Sequence, residues 1–266
     1  MQTHLDQLRC EDEGPRLTYC PTARSIGAAR ISRSLMGRVV KGAGRRGKHL
    51  GFEVDRRPWP CFHLGMTGSF RTLGEAPLNL ASSPRVVETS WPPRFTKLRL
   101  VFGDGGELAF TNKRRLGRIR LRHDPRYEAP IGSLGFDPLL DLPVPTGFSD
   151  LLGNRSAGVK ALLLDQPFAA GVGNWIADEV LCQARIDPSR RANELSAGEV
   201  RRLRAKLKHV VDTAVRVDAD NSLFPRTWLF HRRWKRDARA TIVSCHRIEQ
   251  LTIGGRTTAW VPSLQR

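Results

Sequence analysis

The sequence has 266 residues, with 44 Lys and Arg against 26 Asp and Glu, and its formal net charge is +18. This excess favours partners that are polyanions, such as nucleic acid or an anionic membrane surface. The five cysteines (Cys10, Cys20, Cys61, Cys182 and Cys245) are odd in number and form no CxxC pair, which argues against a disulfide framework and a four-cysteine zinc site.

Membrane insertion is not expected from this sequence. No apolar run approaches the roughly 18 residues that a transmembrane helix needs, and no signal-peptide pattern follows Met1. We therefore expect a soluble, intracellular protein with no membrane partner. The length suits one large domain or two to three small ones.

From about Ile31 to Leu121 the apolar residues alternate with a period close to two, which is typical of β-structure. The segments "KLRLVF" (97–102), "GDGG" (103–106) and "ELAF" (107–110) predict a hairpin with a Gly-rich turn. "FHLGMTGSF" (62–70) predicts two strand ends around a bend at Gly65 and Gly68, and "RIRL" (118–121) predicts a further strand. The pattern indicates an antiparallel β domain, with a long Pro- and Ser-rich loop between Arg71 and Phe95.

From Asp150 to about Ala219 the period becomes helical. "SAGVKALLLDQ" (156–166) predicts a short helix ended by Pro167, and a second helix ends at Pro188. The clearest helix begins at Ser196, which forms a capping box with Glu199. Its apolar face comprises Val200, Leu203, Leu207, Val210, Val211 and Ala214.

The stretch "GVGN" (171–174) places two glycines directly before a helix. Gly171 and Gly173 allow a sharp turn with positive φ, and Asn174 is suited to cap the helix. The free N–H groups at such a helix start attract anions, and in this basic chain we expect a nucleic-acid phosphate.

The remaining segment, Phe224 to Arg266, is basic and aromatic. "IEQLTIGGRTTAWVP" (248–262) predicts a hairpin that turns at Gly254-Gly255 and exposes Arg256. A turn arginine has no obvious role in folding, so it points to a ligand.

Three separated motifs resemble one known family. "RRGKHL" with "FHLGMTGSF", then "GVGNWIADEVLCQARIDP", then "IGGRTTAWVPSLQR" occur in the order found in the formamidopyrimidine-DNA glycosylase and endonuclease VIII family, in its plant and fungal branch. The resemblance extends from roughly Arg24 to Arg266.

The resemblance implies an α+β fold in four segments. These are an N-terminus that is divergent or wrongly assigned from the gene (1–22), an antiparallel β-sandwich glycosylase domain (23–145), a helix–two-turn–helix DNA-binding domain (146–223) and a zincless-finger β-hairpin (224–266). Because Cys245 stands alone in the last segment, we expect no metal and no cofactor.

The resemblance also implies a function in base excision repair. Such enzymes flip out and excise oxidised purines (8-oxoguanine and formamidopyrimidines), and they nick the strand at abasic sites by β,δ-elimination. The implied partner is double-stranded DNA that contains these lesions. We expect a monomer in the nucleus, although an organelle stays open.

In the β domain, four residues match family positions. Lys48 matches the lysine that contacts the lesion's phosphate and assists β-elimination. Met66 matches the residue that fills the gap left by the flipped base. Arg114 matches the arginine that reads the orphan cytosine, and Leu116 stands where the family usually has a phenylalanine wedge.

Four residues match in the rest of the chain. Lys160, Gly173 and Asn174 match phosphate ligands of the helical domain. Arg256 matches the finger arginine that grips phosphates and is linked to δ-elimination. Without the resemblance, Met66 reads as a core residue, Lys160 as a surface lysine and Asn174 as a simple cap.

The start of the chain departs from the family, which begins with Pro and Glu directly after the initiator Met. The proline amine attacks the sugar C1′, and the glutamate handles protons. Here neither residue is present, and substitution by Met1 with Glu11 or Glu13 would displace the catalytic groups too far.

Two explanations follow for this departure. Either the wrong exon has been taken as the start of the gene, or the protein is a divergent form that binds damaged DNA without cutting it. A third hypothesis is an RNA-binding protein that shares only the helical element, but the order of Met66, Arg114 and Arg256 weighs against it. The lesion spectrum depends on a loop within Val217 to Pro225 and stays open.

Overall fold

The computed structural model describes residues 17–19, 26–76, 90–234 and 246–266. The chain folds into two compact units that divide between Ser133 and Leu134. The predictions for residues 1–16 and for Cys245 fall outside the described residues, as does most of the predicted loop before Phe95. No described helix has both the length and the apolar character of a membrane span.

Unit 1 is an antiparallel β-sandwich. Its elements are β1 (Leu17–Tyr19), α1 (Ile26–Leu35), β2 (Val40–Arg46), β3 (His49–Val54), β4 (Trp59–His63), β5 (Gly68–Thr72), β6 (Thr96–Phe102), β7 (Glu107–Asn112) and β8 (Arg118–Arg122). The strands form two four-stranded sheets, in the orders β1-β6-β7-β5 and β2-β3-β4-β8. The predicted sandwich is therefore confirmed.

The core of unit 1 lies between the two sheets. Phe62 of β4 is 1% exposed, and its ring centroid lies 5.0 Å from that of Phe70 and 5.9 Å from that of Phe110 in the other sheet. Leucines at alternate positions of β6, Leu98 and Leu100, fill the same layer. Period-two alternation thus places one apolar face of each sheet inwards.

Two features of unit 1 differ from the expectation. Ile31, where β-structure was predicted to begin, lies in helix α1, because Ile31 and Leu35 are four residues apart and share one helix face. Residues 17–19, assigned to a divergent segment, form β1, which pairs with β6.

Unit 2 contains four helices of six residues or more among its described residues, and a C-terminal hairpin. They are α2 (Pro145–Gly153), α3 (Val159–Leu164), α4 (Asn174–Ala184) and α5 (Ala197–Arg216), with strands β9 (Glu249–Ile253) and β10 (Arg256–Trp260). Short 3-10 turns occur at Ile131–Ser133 in unit 1 and at Ala192–Glu194, Asn221–Leu223 and Leu229–His231 in unit 2.

The helix predicted from Ser196 is confirmed in detail. The Glu199 N–H donates to Ser196 Oγ at 3.4 Å, and the Ser196 N–H donates to Glu199 Oε2 at 2.8 Å. Val200, Leu203, Leu207, Val210 and Ala214 are buried, whereas Val211 is only partly buried. Helix α2 begins five residues before the helical region was expected, with Pro145 in its first turn.

Candidate nucleic-acid interface

Two loops of unit 1 present Met66, Arg114 and Leu116 together, and we call these three residues the loop platform. Met66 lies between β4 and β5, and the other two lie between β7 and β8. Met66 is 60% and Leu116 44% exposed. Arg114 Nη1 lies 3.3 Å from Met66 Sδ. Residues from two segments distant in sequence thus form one exposed surface.

A buried amide joins the two loops. Asn112, the last residue of β7, is 1% exposed. Its Nδ2 donates to the Leu64 carbonyl at 2.9 Å, and its Oδ1 accepts from the Leu116 N–H at 3.1 Å. Sequence reasoning missed Asn112, although it begins the "NKRRLGR" stretch, because nothing in the sequence shows that its side chain turns inwards.

The loops also require close backbone approach at Gly65. This residue has φ +65°, and a Cβ added there would lie 2.8 Å from the Leu116 carbonyl carbon. Glycine is therefore needed both for its backbone conformation and for the contact. The predicted bend at Gly65 is confirmed.

Lys48 is exposed in the tight turn between β2 and β3, and its charge acts on His63 of β4.

The Gly65 N–H donates to His63 Nδ1 at 3.1 Å, so the proton of this imidazole belongs on Nε2. Burial, then Lys48 and the arginines of β8, lower the pKa of His63. The His49 ring lies 4.9 Å from that of His63 at a tilt of 51°. Burial, His63 and Arg120 lower the pKa of His49 to about 4. Both imidazoles are therefore neutral at pH 7.

In unit 2 the start of α4 differs from the prediction. Gly171 has φ 90° as expected, but the N-cap Gly173 is extended, with φ −112° and ψ 174°. Asn174 does not cap the helix, because it is already the first helical residue. Its Nδ2 donates instead to the Thr257 carbonyl of β10 at 2.8 Å, which ties the helix start to the hairpin.

This arrangement presents groups that could accept an anion. The first N–H groups of α4 have no intrahelical acceptors. The predicted hairpin turns at Gly254 and Gly255, with φ 56° and 70°, and it exposes Arg256. No described residue pairs with the Arg256 guanidinium, so it can bind a phosphate.

Lys160 is not where the resemblance places it. It is fully buried in α3, and its Nζ lies 2.6 Å from Asp178 Oδ1 and 2.5 Å from Thr258 Oγ1. Arg233 Nη2 lies 2.6 Å from Asp178 Oδ2, which also accepts the Ala259 N–H. A side chain with no exposed area cannot contact DNA directly, so the predicted phosphate contact is wrong.

We call Lys160, Asp178 and Arg233 the buried ion cluster. Burial lowers the pKa of Lys160, and the attraction of Asp178 opposes that effect. The cluster thus links α3, α4 and β10. Sequence reasoning missed Asp178 and Arg233, since charged residues normally indicate an exposed surface.

The predicted site residues thus fall into two groups, one in each unit. Lys48 and the loop platform belong to unit 1, whereas Gly173, Asn174 and Arg256 belong to unit 2. Within the described ranges, no group of three or more His, Cys, Asp or Glu could hold a metal ion.

The sequence matches three family domains in order. Residues 14–119 match the formamidopyrimidine-DNA glycosylase N-terminal domain, and residues 134–225 match its H2TH domain. Residues 228–262 match the formamidopyrimidine-DNA glycosylase-like C-terminal domain. Together they cover both units.

Two relatives illustrate the similarity. A formamidopyrimidine-DNA glycosylase of Arabidopsis thaliana is 42% identical over 233 residues, which are 88% of this chain and 60% of the relative. This chain therefore spans less than two thirds of that protein. The enzyme of the same name from Geobacter metallireducens is 30% identical, over 87% of this chain and 84% of the relative.

Solved structures share the fold. The MutM (Fpg) protein of Thermus thermophilus has a TM-score of 0.76 at 30% identity, covering 99% of this chain and 96% of that one. The Lactococcus lactis Fpg bound to DNA with an AP site has a TM-score of 0.79 at 22% identity, covering 100% and 97%. With the domain matches and the Geobacter relative, this likeness establishes that the chain belongs to the formamidopyrimidine-DNA glycosylase family.

Proposed function

We propose that this protein is a base-excision-repair DNA glycosylase with AP lyase activity. Its substrates would be oxidised purines, namely 8-oxoguanine and formamidopyrimidines, and abasic sites in double-stranded DNA. The observation that carries the proposal is the loop platform. In it an apolar side chain, a forked cation and a second apolar side chain lie together on two loops that Asn112 joins.

Each member of the platform suits one task in a duplex with a flipped base. Met66 is flexible and apolar, so it can fill the gap in the stack. Arg114 can donate two hydrogen bonds to the base left unpaired, and Leu116 can wedge beside it. Arg114 Nη1 lies 3.3 Å from Met66 Sδ, so the two side chains are close enough to enter the same gap in the duplex.

The second unit would hold the backbone. Phosphate oxygens suit the free N–H groups at the start of α4 and the guanidinium of Arg256. The contact between Asn174 and Thr257 supports a joint grip, because it fixes the helix start relative to the hairpin. Solved Lactococcus lactis relatives are bound to DNA with an abasic site or Fapy-dG, which supports this substrate class.

The chemistry requires an amine and a proton acceptor. The amine attacks C1′, the glycosidic bond breaks, and the base leaves with a proton. Loss of a C2′ proton from the resulting Schiff base then releases the 3′ phosphate, and a second elimination releases the 5′ phosphate. Lys48 is an exposed amine of unit 1, and we propose that it contacts the lesion's phosphate and assists the first elimination.

Borohydride trapping tests this function. The protein is incubated with a duplex that carries one abasic or 8-oxoguanine site opposite cytosine, and binding is measured in parallel by gel shift. Borohydride reduces a Schiff base to a covalent adduct, and the proposed lyase activity requires this result. An amine other than the family's proline must then be the nucleophile, with Met1 and Lys48 as the candidates. Preferential binding without an adduct would support the alternative, a damaged-DNA-binding protein that does not cut.

Variants assign the roles. Lys48→Arg keeps the positive charge, but a guanidinium does not give up a proton near neutral pH, so strand cleavage should fall while binding persists. Arg256→Gln should weaken binding and δ-elimination together. Lys208→Gln, on an exposed face of α5, serves as the matched control for loss of one cation.

We further propose that the protein acts as a monomer in the nucleus. Support comes from the substrate class alone. Light scattering of the purified protein and microscopy of a fluorescent fusion test the two statements separately.

A further inference from the structure

Phe95 lies at the same end of the sheet as the loop platform. It directly precedes β6, and its carbonyl accepts the N–H of Asn112 at 3.0 Å. Asn112 pairs in turn with Gly68 at the start of β5. The starts of β5 and β6 and the end of β7 therefore lie at the same end of the sheet. Phe95 precedes β6, and the loop that carries Met66 precedes β5, with β7 between the two strands.

The backbone of Phe95 adopts a conformation that disfavours a bulky residue. Its φ is 67°, in a turn where the Thr96 N–H donates to the Pro93 carbonyl at 3.2 Å. Glycine takes this conformation without strain, whereas an aromatic residue rarely does. Phe95 is 37% exposed and belongs to none of the buried core clusters of the described residues, so core packing does not explain its presence.

Two cations lie over the ring. Arg94 Cζ lies 4.8 Å and Lys113 Nζ 5.9 Å from the ring centroid. Lys113 directly precedes Arg114 of the loop platform. A partly exposed aromatic ring together with cations is a combination by which proteins hold unstacked bases, since the ring stacks on the base and the cations meet the flanking phosphates.

We propose that Phe95 is a stacking site for an unstacked nucleobase, with Arg94 and Lys113 on the adjoining phosphates. The site extends the loop platform, and the inference that its base lies on the strand read by Arg114 rests on the proposed function. The strained backbone conformation of Phe95 then has a role, because it holds the ring where a base can reach it.

The test uses Phe95→Gly, which separates binding from folding. Glycine relieves the positive φ, so thermal stability should be unchanged or higher. Binding to a duplex with one unpaired adenine, and to an abasic duplex, should weaken about 5-fold to 100-fold, as for loss of one stacked base. Phe95→Trp should restore the affinity, and the added tryptophan fluorescence should be quenched on binding.

Leu73→Ala is the matched control, because Leu73 is 44% exposed just after the far end of β5. Its affinity should equal that of the wild type. The inference is overturned if Phe95→Gly binds the duplex with the unpaired adenine as tightly as Leu73→Ala does, or if the tryptophan is not quenched there. Failure of the wild type to prefer the abasic duplex would overturn the proposed function alone, since the duplex with the unpaired adenine still decides the stacking site.

Discussion

Asp178→Asn should disrupt the hairpin of unit 2 from within the buried ion cluster. Asp178 and Lys160 have fully buried side chains, and that of Arg233 is 4% exposed. The substitution leaves two buried cations without their counter-ion. Removal of one partner from a buried ion pair costs about 3–5 kcal/mol, because the remaining charge stays desolvated. A loss of this size should lower the melting temperature by about 6–20 °C.

Calorimetry and hydrogen exchange measure the effect. Calorimetry gives the change in stability, and exchange by mass spectrometry locates it, with faster exchange expected in β9 and β10. Because the Ala259 N–H donates to Asp178 Oδ2 at 3.1 Å, its protection should fall most. Binding to an abasic duplex should weaken in parallel, since the hairpin carries Arg256.

Asp212→Asn is the matched control, since it removes the same charge from an exposed pair with Lys208; the side chains of Lys208 and Asp212 are 54% and 35% exposed. Exposed pairs of this kind contribute about 0.3–0.5 kcal/mol. If Asp178→Asn costs no more than Asp212→Asn, the buried ion cluster does not hold the hairpin and the reasoning is refuted.

Three further predictions concern unit 1. Asn112→Ala should cost about 2–3 kcal/mol, because the Leu116 N–H loses its acceptor, and lesion preference in gel shifts should fall with it; unchanged preference would show that the loops do not need this amide. Gly65→Ala should lower the urea midpoint and the affinity together, since a Cβ would lie 2.8 Å from a backbone carbon; retention of both would contradict the close contact. Lowering the pH from 7 to 4 should cost about 1–2 kcal/mol through His49, because its folded pKa of about 4 lies below 6.5 and the unfolded chain therefore takes up the proton first. This figure includes a discount for solvent screening of the half-buried ring. Urea midpoints against pH should flatten in His49→Phe, and an unchanged slope would assign the loss to other groups.

The sequence alone determined the elements with strong local signals. Alternating apolar residues predicted β6 and β7, the capping box at Ser196 predicted the start of α5, and the Gly254-Gly255 pair predicted the last hairpin. These signals depend on contacts between near neighbours in the chain, and they therefore survive without tertiary information. The order of the family's motifs likewise predicted site residues at Met66, Arg114 and Arg256.

Tertiary structure decided which polar groups are buried. Lys160 looks like a surface lysine in sequence, but Asp178 from the next helix and Arg233 from beyond α5 make its burial tolerable. Asn112 becomes a structural link only when Leu64 and Leu116 meet around it, and Asn174 bonds to a hairpin 83 residues away instead of capping its helix. The cost of burying a polar group depends on partners that folding brings together, and local sequence contains no record of those partners.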